Sequence, residues 1–353
     1  MRVLVVGNGF AGSQLAYYLA EKIDDVTVLS HHDYQTTCST AVSAGIMLPF
    51  TGRRKVLSFK AEQILPFALE HYQRLESDTG IRLLRDISVI QWIRDAGEYN
   101  DWVAKSAAES TGKFLGTINL GGKIIGLKPA FGHVQLTYST AVISLQLLRA
   151  VKENSKRIKY LNHPFDFENF KVTTSVSLYG NDAFDKVIFC EGFRVSQNPF
   201  WHALPFMPVK GEIIEIYAPK LELDCIYNGS IYIIPLGSYR FMVGATYNWK
   251  DIDELPSEEG LTQLKRELDL VLDCEYTVSS HAAGIRPAIQ DRRPVIGFHP
   301  LYPTIGIFNG LGTKGAMLAP FYAKQLSDHI IDGKSIDEDV DVGRFKDLLV
   351  HNQ

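Results

Sequence analysis

The sequence predicts an α/β fold, a parallel doubly wound sheet into which an antiparallel sheet is inserted. Three observations carry this prediction. The apolar run Val3-Leu4-Val5-Val6 meets the turn Gly7-Asn8-Gly9-Phe10-Ala11-Gly12, which opens the helical spacing Leu15, Ala16, Leu19, Ala20. Strand, glycine turn and helix thus follow in order. A second apolar run, Val26-Thr27-Val28-Leu29, comes at the distance a βαβ unit needs. Between positions 211 and 247 the pattern changes to short strands with turns, at 212–217, 229–234 and 241–244.

The glycine turn makes the first part Rossmann-like and specifies a ligand. Gly7 permits the tight turn, Gly9 lets the backbone approach a pyrophosphate, and Gly12 allows close packing of helix on strand. The N–H groups at the helix start, around Phe10 and Ala11, are left aimed at phosphates. The expected ligand is a dinucleotide. Where such units place an acid for the ribose hydroxyls, this chain reads Ser30-His31-His32. Ser30 is expected to bond the ribose more weakly than a carboxylate would.

The composition is that of a globular protein long enough for two domains, with 353 residues, 46% hydrophobic and 22% charged. A net charge of −4 provides no broad attraction for nucleic acid, and the short basic run Arg53-Arg54-Lys55 does not overturn that. Nucleic acid is therefore not expected as a general partner. Cys38, Cys190, Cys225 and Cys274 stand far apart with no C-x-x-C pair. They are expected to be buried, reduced thiols, and no metal site is expected. Arg2 before an apolar run resembles the start of a signal peptide, but cleavage would remove the first strand. No segment approaches the ~20 apolar residues of a spanning helix, and a cytoplasmic protein is expected.

Positions 36–49 are rich in small and hydroxyl residues, which lets backbone approach a flat ligand. Positions 61–80 read as a helix despite Pro66, with Ile64, Phe67, Ala68 and Leu75 on one face and Gly80 as its stop. Strands are expected at 81–93 and 122–127 with a short helix at 102–110 between them. A helix at 139–152, strands at 158–161 and 187–190, a helix at 257–272 and a last strand at 305–308 follow. That strand enters Asn309-Gly310-Leu311-Gly312-Thr313-Lys314-Gly315, a second G-x-G-x-x-G. No parallel strand comes after it to complete a second dinucleotide unit. It is expected instead to start a helix near Ala316, with Pro320 tolerated in the early turns and the positive end facing one bound anion or polarised ring.

Four further segments, in order, resemble the D-amino acid oxidase superfamily of FAD-dependent enzymes, particularly its glycine oxidase and sarcosine oxidase branch. They are Ser43-Ala44-Gly45-Ile46, Phe189-Cys190-Glu191-Gly192, Tyr232-Ile233-Ile234-Pro235 with Val243-Gly244-Ala245-Thr246, and Gly284-Ile285-Arg286-Pro287 running on to Asp291, Pro294 and Ile296-Gly297. The resemblance covers nearly the whole chain. It implies a discontinuous FAD-binding domain, 1–75, 140–205 and 280–353, and a substrate domain, 76–139 and 206–279. Implied cofactor contacts are Gly7, Gly9, Phe10, Ala11, Gly12 and Ser30 at the ADP half, and Ser39, Thr40, Ala44, Gly45 and Ile46 along pyrophosphate and flavin. Phe165 is implied at the adenine through its backbone, Gly192 along the dinucleotide, Gly310, Gly312, Thr313 and Lys314 as a second flavin contact, with Arg286 bordering the flavin too.

By the same resemblance Lys314 matches a lysine at the flavin N1–C2=O edge, where a lysine and a helix N-terminus stabilise the charge gathered on reduction. Arg286 resembles the arginine that pairs bidentately with an amino acid carboxylate. Tyr232 resembles a second carboxylate ligand, and Tyr247 falls where relatives vary the side chain that touches the substrate's own. The implied reaction passes a hydride from the substrate to flavin N5, giving an imine that water hydrolyses, with no obligatory general base. His281 is expected to be a packed, satisfied histidine.

The chain also departs from that pattern. Phe241-Met242-Val243 lacks the lysine that sarcosine oxidase uses toward oxygen, leaving oxygen or an electron carrier as the acceptor. No Cys or His stands at the covalent-attachment positions, so FAD is expected to be non-covalent. The segment Leu48-Pro49-Phe50-Thr51-Gly52-Arg53-Arg54 resembles instead the flavin domain of tRNA-modifying enzymes that cleave a carboxymethylaminomethyl uridine. The leading expectation is an FAD-dependent oxidase or dehydrogenase acting on the C–N bond of an amino acid or N-substituted glycine. Cleavage of such a modified tRNA nucleotide, or a catalytically silent flavoprotein scaffold or sensor, are the alternatives. No oligomeric state is implied.

Overall fold

The computed structural model describes residues 1–30, 38–52 and 54–351; His31, His32 and Arg53, which figure in the expectations above, lie outside these residues, as does the start of the small-residue stretch at 36–37. A six-stranded sheet forms one layer. Arg2–Val6 lies at its centre, parallel to Asp25–Ser30 on one side and to Lys186–Phe189 on the other. Ile158–Asn162 adds outside Asp25–Ser30, while Ile305–Asn309 and the antiparallel Val295–Phe298 complete the opposite edge. Val3, Leu4 and Val5 are wholly out of solvent, as a parallel strand covered on both faces requires. The strand order reverses between Val6 and Phe189, and a crevice opens outside the carboxyl ends at such a switch point.

Helices Phe10–Ala20, Ala61–Thr79 and Gly315–Asp332 share one core on this sheet, through Leu15, Leu19, Ile64, Leu75, Tyr322 and Leu326. Every residue of Phe10–Ala20 is buried, because the helix lies between sheet and neighbouring helices. Gly80 ends its helix at φ 68°, its N–H donating to the Glu76 carbonyl at 2.8 Å. That conformation is the left-handed stop a glycine provides without strain.

The other large sheet has eight strands in the order Thr277–Arg286, Val209–Tyr217, Arg240–Gly244, Tyr232–Gly237, Ile226–Asn228, Val89–Ile93, Gly132–Leu136 and Leu115–Leu120. Its pairings are antiparallel except Ile226–Asn228 against Val89–Ile93. Thr277–Arg286 crosses position 280 as one continuous strand. The strand expected at 229–234 is divided at Gly229 and Ser230 into Ile226–Asn228 and Tyr232–Gly237.

Positions 122–127 are not a strand. Gly121, Gly122 and Gly126 have φ of 68°, 125° and 88°, which breaks extended backbone, and the hairpin is built by the strands on either side. The helix expected at 102–110 runs Ala96–Ala107 and starts at Asp95, whose carboxylate accepts from Glu98 N at 2.9 Å. This is the N-cap signal the apolar pattern alone misses. The helix expected from 139 begins at Ser144, since Thr140–Ala141 pairs with Ile46–Met47. Cys190 and Cys225 are buried as expected, but Cys38 and Cys274 are partly exposed, and all four are unpaired. Among the described residues no helix is long and apolar enough to cross a membrane.

Candidate active site

A cleft of about 600 Å³ runs between the two sheets. One end of it is the glycine turn. A Cβ on Gly7, at φ 106°, would stand 2.4 Å from the Cys190 carbonyl oxygen, and one on Gly12 only 1.9 Å from the Gly7 oxygen. Gly9 is different, for only the Thr40 hydroxyl approaches its Cβ position, at 2.9 Å, and that hydroxyl accepts from Phe10 N at 3.2 Å. Gly7, Gly9, Phe10, Ala11 and Ser30 line the cleft, whereas Gly12 lies behind the turn.

The residues present fit a dinucleotide. Helix Phe10–Ala20 begins at Gly9 with no cap from the Gly9 position and no acid in its first turn; Phe10 N is held by the Thr40 hydroxyl, and the Ala11 amide beside it on the cleft wall stays open to an anion. Asn8 is 6% exposed, yet among the described residues neither its Oδ1 nor its Nδ2 has a hydrogen-bond partner. Such orphaned polar atoms cost free energy that a bound phosphate or ribose relieves. Ser39, Thr40, Ala44, Gly45 and Ile46 continue the lining, together with Phe165 and Gly192. Phe165 stacks on Tyr179 at 4.7 Å, and the Gly192 carbonyl accepts from Asn309 Nδ2 at 2.9 Å.

Gly312, Thr313 and Lys314 line the cleft from the second glycine turn; Gly310 does not. Its N–H donates to Asn309 Oδ1 at 2.8 Å and its φ is 76°, so it shapes the turn. The Pro287 carbonyl accepts from Gly312 N at 3.2 Å, tying this turn to the one that carries Arg286. Lys314 sits at the start of helix Gly315–Asp332, where burial, aided by nearby Arg292, holds its ammonium below the ordinary lysine value.

At the other end Arg286 terminates its strand and lies over Gly211, whose Cβ would stand 2.1 Å from Nη2. Arg286 Nη1 donates to the Thr246 carbonyl at 3.1 Å and to that of Lys210 at 3.4 Å, while Nη2 and Nε bond to none of the described residues. Its guanidinium carbon is 4.4 Å from the centre of the Tyr247 ring, a cation–π contact, and Trp249 stacks on Tyr247 at 6.1 Å. Both aromatic side chains are exposed. The sheet register sets Gly244, Tyr232 and Asn228 side by side on one face, and absence of a Cβ at Gly244 makes room for the Tyr232 hydroxyl, 2.5 Å from that position. Burial pushes the Tyr232 hydroxyl up, opposed by Arg286, so it remains a proton donor.

Lys210 and Glu212 point to the opposite face and are buried at 2% and 0% exposure. Lys210 Nζ donates to Asp253 Oδ1 at 2.7 Å, and Glu212 accepts from Ser257 N at 2.8 Å and Ser257 Oγ at 2.7 Å. His281 Nε2 lies 2.8 Å from Glu212 Oε2, and the histidine is not part of the cleft lining.

Three charged features of the cleft have no place in the sequence reading. Arg194 and Glu254 meet at 3.0 Å, and nothing in the local sequence brings position 194 beside 254. Glu191 also lines the cleft; burial raises its carboxyl to about 7 against the opposing hydrogen bond from Asn198 Nδ2 at 2.7 Å. Its signal was an acid interrupting the apolar end of a buried strand. Lys55 lines the cleft from a turn, although its basic run pointed only toward nucleic acid.

A family model described as FAD dependent oxidoreductase matches residues 2–329. The chain belongs to the FAD-dependent oxidoreductase family. FAD is accordingly the dinucleotide of this oxidoreductase. It is similar to glycine oxidase from Bacillus subtilis, 33% identical over 137 residues, a match that spans 38% of this chain and only 37% of that protein. With glycine oxidase from Pseudomonas putida the identity is 25% over 358 residues, 95% of this chain and 96% of the relative. The crystal structure of glycine oxidase from Bacillus cereus has the same fold, with a TM-score of 0.78 at 17% identity over 95% of this chain and 96% of that one.

Proposed function

We propose that this FAD-dependent oxidoreductase oxidises the C–N bond of a small carboxylated amine, an amino acid or N-substituted glycine, with FAD held non-covalently. The observation that carries the reading is that one cleft joins Arg286 and Tyr232, on the face of the eight-stranded sheet, to the glycine turn and Lys314 on the cofactor side. The similarity to glycine oxidases over nearly the whole chain supports the amine class. FAD, when bound, would supply a two-electron acceptor for the hydride on the substrate carbon next to nitrogen.

The chain's own residues orient that transfer. Arg286 holds the substrate carboxylate through Nη2 and Nε while Nη1 stays tied to the Thr246 and Lys210 carbonyls, so the fork is set before substrate arrives. Tyr232 donates its hydroxyl to the same carboxylate. Tyr247, packed on Arg286, borders the substrate's side chain. Lys314 and the helix start behind it stabilise negative charge at the cofactor ring. The resulting imine is hydrolysed by water, and electrons pass on to oxygen or a carrier. The proposal includes the division into a cofactor domain, 1–75, 140–205 and 280–353, and a substrate domain, 76–139 and 206–279, supported by the two separate sheets except at 280, where the strand Thr277–Arg286 carries the eight-stranded sheet on to Arg286.

The test is anaerobic mixing of the yellow holoprotein with glycine, sarcosine and a panel of D-amino acids. At least one should bleach the flavin absorbance, and bleaching by none would sink the proposal. Arg286→Ala should lower kcat/KM by about 3 kcal/mol, roughly a hundred-fold, chiefly through KM and with FAD retained. A variant indistinguishable from the parent would favour the catalytically silent alternative.

A further inference from the structure

Four cationic side chains line the cleft among the described residues: Lys55, Arg194, Arg286 and Lys314. Arg194 is neutralised by Glu254 at 3.0 Å, and Arg286 and Lys314 have work in the proposed reaction. Lys55 has none. It stands in the turn joining Phe50–Thr51 to Val56–Leu57, its N–H donating to the Gly52 carbonyl at 3.1 Å. Its φ is 48°, a left-handed conformation that a residue with a Cβ adopts at a cost.

The ammonium of Lys55 makes no hydrogen bond or ion pair with any described residue. Glu98 and Arg94 act on it only through space, and burial holds it below the usual lysine value. Glu98 itself is engaged, accepting from Arg94 N at 2.9 Å and Arg94 Nε at 3.3 Å. A desolvated cation without a partner adds nothing to the fold's stability. Its surroundings are those of the substrate side: Phe50, in the same hairpin, meets Trp102 of helix Ala96–Ala107 edge-on at 5.1 Å, and Arg94 and Glu98, whose charges reach the ammonium, follow the strand Val89–Ile93. The glycine turn that takes the pyrophosphate belongs to the other sheet.

We infer that the substrate is a dianionic amine, its first carboxylate held by Arg286 and Tyr232 and a second carboxylate or comparable oxyanion held by Lys55. This rests on the amine-oxidation reading above. A small molecule suits the site better than RNA, because Lys55 lies within the cleft rather than on an exposed basic face and the chain carries a net charge of −4.

The experiment compares amines that differ only in the second charge: iminodiacetate against its monoamide, D-aspartate against D-asparagine, D-glutamate against D-glutamine. Each is mixed anaerobically with holoenzyme and flavin absorbance is followed. At least one diacid should reduce the flavin with a second-order rate constant about ten-fold or more above that of its amide, and in Lys55→Met acid and amide should become equal. Should that variant misfold, the parent still decides: the flavin spectrum should report succinate or malonate binding about ten-fold or more tighter than propionate. Equal rates and equal binding in the parent, or an acid advantage that survives in Lys55→Met, overturn the inference while leaving amine oxidation standing. Bleaching by no carboxylated amine at all overturns both. Bleaching by an undermodified tRNA alone overturns the inference in favour of a nucleotide substrate. A Lys55→Met enzyme that keeps its acid preference and loses only the oxygen step assigns the lysine to the acceptor and equally overturns it.

Discussion

Arg286 and Gly211 share one volume: Nη2 of the arginine lies 2.1 Å from where a Cβ on Gly211 would stand. The paired strands fix this relation, with Gly211 opposite Gly284 two residues before the arginine. Gly211→Ala should therefore displace the guanidinium, the far end of a flexible side chain, and leave the sheet in place. The expected outcome is a rise in KM of about ten-fold or more, with FAD content and melting temperature nearly unchanged. Steady-state kinetics beside a thermal melt checks it; an early melt with KM intact would mean that the glycine serves the sheet alone.

Gly12 and Gly9 should separate folding from cofactor binding. A Cβ at Gly12 meets the backbone of Gly7 at 1.9 Å, whereas one at Gly9 meets only a hydroxyl, at 2.9 Å. Gly12→Ala is expected to destabilise the protein by about 1–3 kcal/mol or more and to yield colourless protein. Gly9→Ala should keep the fold and weaken FAD binding, read by fluorescence titration. Equal melting temperatures for the two variants would contradict this.

Glu191 should make stability fall as pH rises. Burial raises its carboxyl from 4.5 to about 7, so below about 4.5 the group is protonated in both folded and unfolded chains and costs nothing. Between those values the unfolded chain ionises first, and above about 7 the folded protein bears the full penalty, at most about 3 kcal/mol. Glu191→Gln removes it. The apo variant should melt higher than the parent at pH 8, and the gap should close by pH 5; a gap independent of pH would exclude the carboxyl as its source.

Lys314→Met should lower the two-electron midpoint potential of bound FAD by on the order of 30 mV or more, the equivalent of about 1.4 kcal/mol of lost stabilisation. Dye equilibration of holoprotein measures it directly. An unchanged potential would place the ammonium out of electrostatic reach of the ring.

What the sequence made legible were residues answering to the backbone. Gly7 has a positive φ and Gly12 no room for a side chain, so these positions must be glycine and the motif announces them. Gly80 closes its helix for the same reason. The hairpin around 122–127 was misread because apolar Ile124, Ile125 and Leu127 suggest a strand, while the glycines among them forbid one. Gly310 belongs to the second motif yet supports the turn from behind. Arg194 with Glu254, and Lys55 with the face of a distant sheet, are products of tertiary packing: each residue has an ordinary local context, and only the fold brings it to the cleft.

The central strand Arg2–Val6 finds one partner, Asp25–Ser30, close by in the chain, yet Val3 also pairs with Lys186, and Val187 in turn with Ile305. The glycine turn at Gly7–Gly12 is made well before the strand Ile305–Asn309 and the helix Gly315–Asp332 that complete its surroundings. A growing chain thus carries one of its most apolar strands paired on one side only, with Asp25–Ser30, and its other edge stays open until Lys186–Phe189 emerges, a circumstance that favours aggregation of nascent proteins.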